Sequence, residues 1–415
     1  MKKFLSNYKS TIILLVAIIV GTIVGVIFEE KATILKPLGD IFLNLLLVVI
    51  VPLVFLNITT SIAKMKTPKR IGKIMIAIIL VFVITSLIAV LIGFLSTYFV
   101  KLVNTEDGEK IKATLEVDAE KPEQEDKTIA DRTVELLTVN DFNKLLSRNN
   151  IIALLVMSVI CGIAANMAKE KAKPFVDFLN SANEVVQNII KIIMYYAPIG
   201  LGCYFAYLIG SFGASIAIGY LKTFLIYTLV AIGFYFIIYT IYAYVAGGKK
   251  GAKKFWKNVL PVTLTSIATC SSAASIPVNI ECAKKIGVSD DIAETTIPMG
   301  TSFHKDGSII GSMFKIMFLV CLFGTGMGSA SSVFGILGIA LLANLLITGV
   351  PIGGGTISEM LIITMMGYPV AALPILTIIA TIIDPPATLL NVVGDTVSSM
   401  LVTRAVDGKD WIKDE

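Results

Sequence analysis

Apolar residues run unbroken through stretches such as Thr11–Phe28 and Leu43–Val54, long enough to cross most or all of a hydrocarbon layer about 30 Å thick. None shows the period-two alternation of a barrel strand, so lipid leaves the α-helix as the only way to pair every backbone group. The pattern predicts helical spans near residues 11–28, 38–61, 74–103, 149–168, 178–210 and 216–246. From about Val259 small and polar residues interrupt the apolar runs: SIATCSSAASIP (Ser266–Pro277), PMGTSFHKDGS (Pro298–Ser308), GVPIGGG (Gly349–Gly355) and DPPATLLNVVGD (Asp384–Asp395). Non-helical backbone at membrane depth is tolerated only where protein or a watery cavity surrounds it, so four such breaks in one half of the chain predict a polar site. Discontinuous helices meeting near the midplane are how secondary transporters hold solutes and ions.

Composition agrees with the pattern. The chain is 55% hydrophobic and 16% charged, against about a quarter charged in soluble proteins. Nucleic-acid binders, extracellular disulfide scaffolds and soluble dehydrogenases are thereby excluded. Five scattered cysteines form neither a metal-cluster spacing nor a disulfide framework, and the single histidine, His304, rules out a multi-histidine zinc site. The basic head and long apolar run of the N-terminus read as a retained first span rather than a cleaved signal.

Charge orients the spans. Residues 104–132 hold ten acids against five bases, leaving the net positive charge to Lys2, Lys3 and Lys9, to Lys64–Lys73 and to Lys249–Lys257. These basic groups face the cytoplasm and the acidic loop, 104–148, faces outside, with both termini cytoplasmic. A carboxylate at the bilayer centre costs at least about 2.5 kcal/mol, so Asp306, Asp384 and Asp395 each need a cationic partner or a functional reason. Asp384 and Asp395 lie eleven residues apart, within about 20° of three full turns, so both fall near one helix face with Asn391. Pro385 and Pro386 remove backbone donors beside Asp384 and free carbonyls around Thr381 and Ile382, an oxygen-rich wall suited to a hard cation or an ammonium group. No nucleophile–base pair accompanies Ser271 and Ser272, so an intramembrane hydrolase is a distant alternative, as is a channel. No P-loop occurs, so ATP bound by this chain is not the energy source.

At these breaks the sequence resembles the dicarboxylate/amino acid:cation symporters, the glutamate transporter homologues. Ser271–Pro277 resembles the serine-rich tip of the family's first re-entrant hairpin, and His304–Ser308 stands where its Asn-Met-Asp-Gly-Thr signature does. Gly349–Gly355 resembles the second hairpin's tip and Asp384–Asp395 the last helix; Val49–Phe55, Ile84–Leu87 and Tyr195–Gly200 also fit. The resemblance implies an all-α polytopic fold of eight transmembrane helices plus two re-entrant hairpins, working as an elevator. It implies a homotrimer in a bacterial inner membrane, with residues 1–103 and 149–246 mainly scaffold, the third span shared, residues 253–405 mainly transport unit and 406–415 a cytoplasmic tail. It further implies no cofactor, no catalytic residue and no nucleic-acid partner, but an amino acid or dicarboxylate substrate, a lipid surround and co-transported sodium ions.

Carried over, Asp384 binds the substrate's α-ammonium, and Asn391 with hairpin-tip backbone near Ser272 and Gly354 holds its α-carboxylate. Ser271, Ser308, Ala387 and Thr388 complete the substrate set. Thr85, Ser86, Gly300, Asp306, Asn391 and Asp395 are the implied cation ligands. Two departures follow. The arginine that acidic-substrate members place three residues after the substrate aspartate is Ala387 here, and the alternative arginine position is Cys270, so the bidentate guanidinium for a side-chain carboxylate is missing. A small neutral amino acid is therefore the expected substrate, coupled to sodium ions or protons; the alternative is an acidic amino acid or dicarboxylate received by Lys305 or His304. The signature's asparagine is His304 and its methionine Lys305, and an ammonium at Lys305 beside Asp306 is expected to take the place of one bound cation.

Overall fold

The computed structural model describes residues 9–63, 69–103, 134, 137–147, 150–212, 215–325, 330–345 and 354–412, and among these no strand occurs. The helices are α1 (Lys9–Phe28), α2 (Lys36–Ala63), α3 (Lys69–Tyr98), α4 (Ile151–Ala168), α5 (Lys173–Phe212), α6 (Ser215–Gly233), α7 (Tyr239–Asn258), α8 (Leu260–Thr269), α9 (Ser272–Ile286), α10 (Asp290–Phe303), α11 (Asp306–Phe323), α12 (Ala330–Leu345), α13 (Gly354–Met366) and α14 (Leu373–Asp407). A π-turn, Phe234–Ile238, joins α6 to α7 without ending the rod. The six spans expected in the first half are all present as helix. Among the described residues, Gly72–Tyr98, Ala217–Asn258, Asp290–Phe323 and Val370–Asp407 are long and apolar enough to cross a membrane, and the bent pair 156–193 and 195–211 adds a fifth. Large apolar side chains on their outer faces, such as Ile76, Leu225 and Leu229, are exposed as lipid-facing residues are. Most of the acidic loop and the tip of the second hairpin, 346–353, lie outside the described residues.

Packing divides the helices into two sets. α1, α2, α4 and α5 pack mainly on one another, whereas α3 and α6 to α13 gather around α14 or around α11, which itself lies against α14. Residues 216–246, grouped by sequence with the scaffold, thus lie against α14 and α11 as α6 and α7. α14 is buried almost continuously from Ala387 to Met400, polar residues included. That is possible because its Asn391, Asp395 and Thr396 find partners on the surrounding helices.

Two breaks in the helices face α14. Between α8 and α9 the chain reverses at Cys270, in the left-handed region with φ 45°. Ser271 then starts α9 from an extended conformation, its hydroxyl accepting from Ala274 N–H at 3.2 Å as an N-cap. The arms α8 and α9 lie against each other and both contact α14. Between α10 and α11 two residues leave the helical conformation, His304 extended (φ −120°, ψ 116°) and Lys305 at φ −146°, ψ 69°, in the middle of an otherwise continuous apolar span.

Candidate functional site

The break between α10 and α11 turns His304 inward, and its ring is fully buried. Nδ1 lies 3.1 Å from Asp395 Oδ1, and Nε2 lies 2.8 Å from Thr85 Oγ1 and 3.2 Å from Asp306 Oδ1. Phe82 stacks on the ring with centroids 4.5 Å apart. The sequence places Lys305 as the cation beside Asp306; in the structure the imidazole of His304 contacts both carboxylates, and Lys305 caps α11, half-buried.

Asp395 approaches this cage through Gly300. A Cβ there would lie 2.2 Å from Asp395 Oδ1, so a glycine is required for the helices to come this close. Asp306 Oδ2 accepts from the Tyr239 hydroxyl at 3.2 Å, a contact from α7 that sequence gives no means of foreseeing. Ser86 Oγ is buried with no hydrogen-bond partner among the described residues, and Asp306 Oδ1 has the imidazole Nε2 at 3.2 Å as its neighbour. The cage sets two carboxyl groups against one imidazole. Hydroxyl and carboxylate oxygens left without partners in a dry site are the donors that a hard cation takes. Thr85, by contrast, is satisfied, donating to Val81 O at 2.8 Å while facing the imidazole. Thr85, Gly300, Asp306 and Asp395 are thus brought together around His304, while Ser86, next to Thr85 in sequence, is buried on α3. Asn391 points elsewhere, to Ser308.

The second cluster lies one to three turns back along α14. Asn391 Oδ1 accepts from Ser308 N–H at 3.1 Å and its Nδ2 donates to Ser308 Oγ at 3.0 Å, a reciprocal pair at the first turn of α11. The helices can approach because Gly307 has no side chain: a Cβ would lie 2.3 Å from Ala387 O and 2.8 Å from its Cα. Tyr227 adds a hydrogen bond from its hydroxyl to Gly307 O at 2.8 Å. Asp384 is accessible, with the Thr388 hydroxyl 3.5 Å from its Oδ1. Ser308, Ala387, Thr388 and Asn391 are thus neighbours, and the position where an arginine would stand packs its backbone on Gly307. Ser271 and Ser272 sit at the hairpin tip, half-buried, with Ser271 committed to capping. Asn279 ties that hairpin down, donating to Val392 O at 2.8 Å and accepting from Thr396 at 2.6 Å. Gly354 opens α13 next to residues outside the described set.

The two clusters follow each other along one face of α14: buried carboxyl groups around an imidazole, then an accessible carboxyl group beside an amide. The model of the sodium:dicarboxylate symporter family matches residues 11–405, and the chain belongs to that family. Its members are symporters, so the chain is a membrane transporter and not an enzyme. It is similar to the proton/sodium-glutamate symport protein of Bacillus subtilis (strain 168), 26% identical over 94% of this chain and 91% of that protein. It is also similar to the proton/sodium-glutamate symport protein of Geobacillus stearothermophilus, 26% identical over 94% and 92% of the two chains. The C4-dicarboxylate transport protein of Pseudomonas syringae pv. syringae (strain B728a) is 28% identical over 98% of this chain and 90% of that one.

Proposed function

We propose that this chain is a secondary active symporter that imports a small neutral amino acid, coupled to sodium ions or protons, in the inner membrane of a bacterium. The observation that carries the reading is the accessible Asp384 with Thr388, two turns before Asn391, on a helix whose adjacent position is Ala387 rather than a guanidinium. Asp384 takes the substrate ammonium. Asn391 and the Ser272 and Gly354 tips take its carboxylate, Asn391 through the second hydrogen of its Nδ2 while Ser308 holds the amide in place. Among the described residues, no guanidinium stands beside them.

The coupling cation goes to Ser86 Oγ and Asp306 Oδ1. His304 lies between Asp306 and Asp395, where a second cation would otherwise be needed, so its ring lowers the number of ions carried per cycle. The chain runs as eight spans and two hairpins in a homotrimer. The helices grouped around α14 form the moving elevator unit, which extends the transport unit to α6 and α7, and α1, α2, α4 and α5 form the scaffold.

The names of the relatives favour a second reading, an acidic amino acid or C4-dicarboxylate carrier with His304 or Lys305 as the anion receptor. Against it, both nitrogens of His304 are occupied by oxygens of the protein itself. A binding screen of neutral amino acids, aspartate and succinate, with and without sodium, separates the two: serine or alanine binding above aspartate supports the proposal, and the reverse order rejects it.

A further inference from the structure

Buried charge also occurs away from both clusters. Lys315 on α11 and Glu359 on α13 form an ion pair, Nζ to Oε1 3.1 Å, with side chains 7% and 0% exposed. The other carboxylate oxygen of Glu359 accepts from the Thr377 hydroxyl of α14 at 2.9 Å.

The pair is aligned with the substrate cluster on both helices. Ser308, Ser312 and Lys315 are spaced i, i+4, i+7 and so share one face of α11, and Thr377 and Asp384 are likewise seven apart on α14. Two turns span about 10 Å. A helical side chain leans toward the N-terminus of its own helix, which points the lysine from Lys315 back toward Ser308. Between them Ser312 contacts Ser358 at 3.3 Å and accepts from Asn344 Nδ2 at 2.8 Å, so a polar stripe joins the substrate cluster to the ion pair along both arms of the second hairpin.

A lysine at the end of that stripe is the charge that a substrate's second carboxylate needs, in a chain that lacks the arginine. Glu359 already occupies it. We infer that Glu359 is a specificity-determining residue: by neutralising Lys315 beside the substrate cluster it makes the site refuse substrates with a side-chain carboxylate. The inference rests on the proposed neutral substrate. A dianionic substrate would bring a negative charge up to a pair whose cation is spent on Glu359, and would have to break that pair in a dry interior to bind.

The test compares the native protein, Glu359→Gln and the double variant Lys315→Met/Glu359→Leu, each in lipid nanodiscs, by calorimetric binding of serine, alanine, aspartate and succinate. Glu359→Gln frees the ammonium and is expected to raise the affinity for aspartate relative to serine by roughly tenfold or more. The double variant removes both charges and is expected to keep the native order and bind serine within about threefold of the native affinity. A folded Glu359→Gln with an unchanged aspartate-to-serine ratio overturns the inference, as does a double variant that loses serine binding more than tenfold, since Lys315 would then touch the neutral substrate itself. If Glu359→Gln does not fold, Thr377→Val is read in its place, with a smaller shift expected in the same direction and no shift overturning the inference. A native protein that binds aspartate above serine rejects the proposed function, and with it this inference, whatever the variants do; a native preference for serine with unmoved variants rejects the role of Glu359 alone.

Discussion

Replacing Gly307 with alanine probes whether the close approach of α11 and α14 holds the substrate cluster together. The added Cβ would meet Ala387 O at 2.3 Å, with Ala387 Cα and C at 2.8 and 2.9 Å. All three are backbone atoms in the middle of a helix, so no side chain can swing away. Restoring van der Waals contact requires the helices to part by about 1 Å, at a typical overpacking cost of about 1 to 3 kcal/mol. The same movement stretches the two Ser308–Asn391 hydrogen bonds, now 3.1 and 3.0 Å, beyond bonding distance. It does the same to the Tyr227 bond to Gly307 O at 2.8 Å. At about 1 kcal/mol for each bond lost around Asn391, the positioning of the substrate carboxylate weakens by about 2 kcal/mol, or roughly thirtyfold in Kd. The control is Gly335→Ala on α12, where an added Cβ meets nothing within 4 Å and alanine gains up to about 1 kcal/mol of helix propensity. Thermal unfolding in detergent and calorimetric substrate binding read both variants. Gly307→Ala with native melting temperature and affinity within twofold of native would refute the reasoning.

Three further outcomes follow from the site. Asp384→Asn removes the partner of the substrate ammonium and is expected to weaken binding by about 2 to 5 kcal/mol with little change in melting temperature, read by calorimetry; near-native affinity would move the ammonium site elsewhere. His304→Asn withdraws the imidazole from between Asp306 and Asp395, so uptake in proteoliposomes should require more sodium and rise more steeply with it, whereas Lys305→Met should leave the sodium dependence as it is; the opposite ranking would return the coupling role to Lys305. Trp411→Phe deletes the indole bond to Ala246 O at 2.8 Å and should lower stability by about 1 kcal/mol without altering substrate affinity, and a loss of affinity would tie the C-terminal segment to transport.

The helices and the breaks at Cys270 and at His304–Lys305 were legible because membrane depth turns hydropathy into geometry, whereas Asp384–Asp395, also expected as a break, runs as continuous helix. The carboxylates and amide of α14 were legible for the same reason, since helical phase alone puts Asp384, Asn391 and Asp395 together. Phase also fails at a break. His304 and Lys305 are adjacent where the helix breaks, and nothing in the sequence says that the imidazole is the one set between Asp306 and Asp395. Tyr227 and Tyr239 reach the site from α6 and α7 across 80 and 67 residues, a proximity that no local pattern encodes. Lys315 and Glu359 left a signal that went unread. Each stands alone within an apolar stretch, IGSMFKIMFLV and TISEMLII, and two such charges of opposite sign are each other's most economical partner.

The most direct test of the account is uptake of labelled serine and alanine into proteoliposomes under imposed sodium or proton gradients, with aspartate and succinate as competitors. The account predicts saturable accumulation above equilibrium, driven by one of the two gradients, competed by small neutral amino acids and abolished by Asp384→Asn. Flux that only equilibrates, or accumulation that aspartate or succinate suppresses more strongly than serine and alanine do, would contradict it.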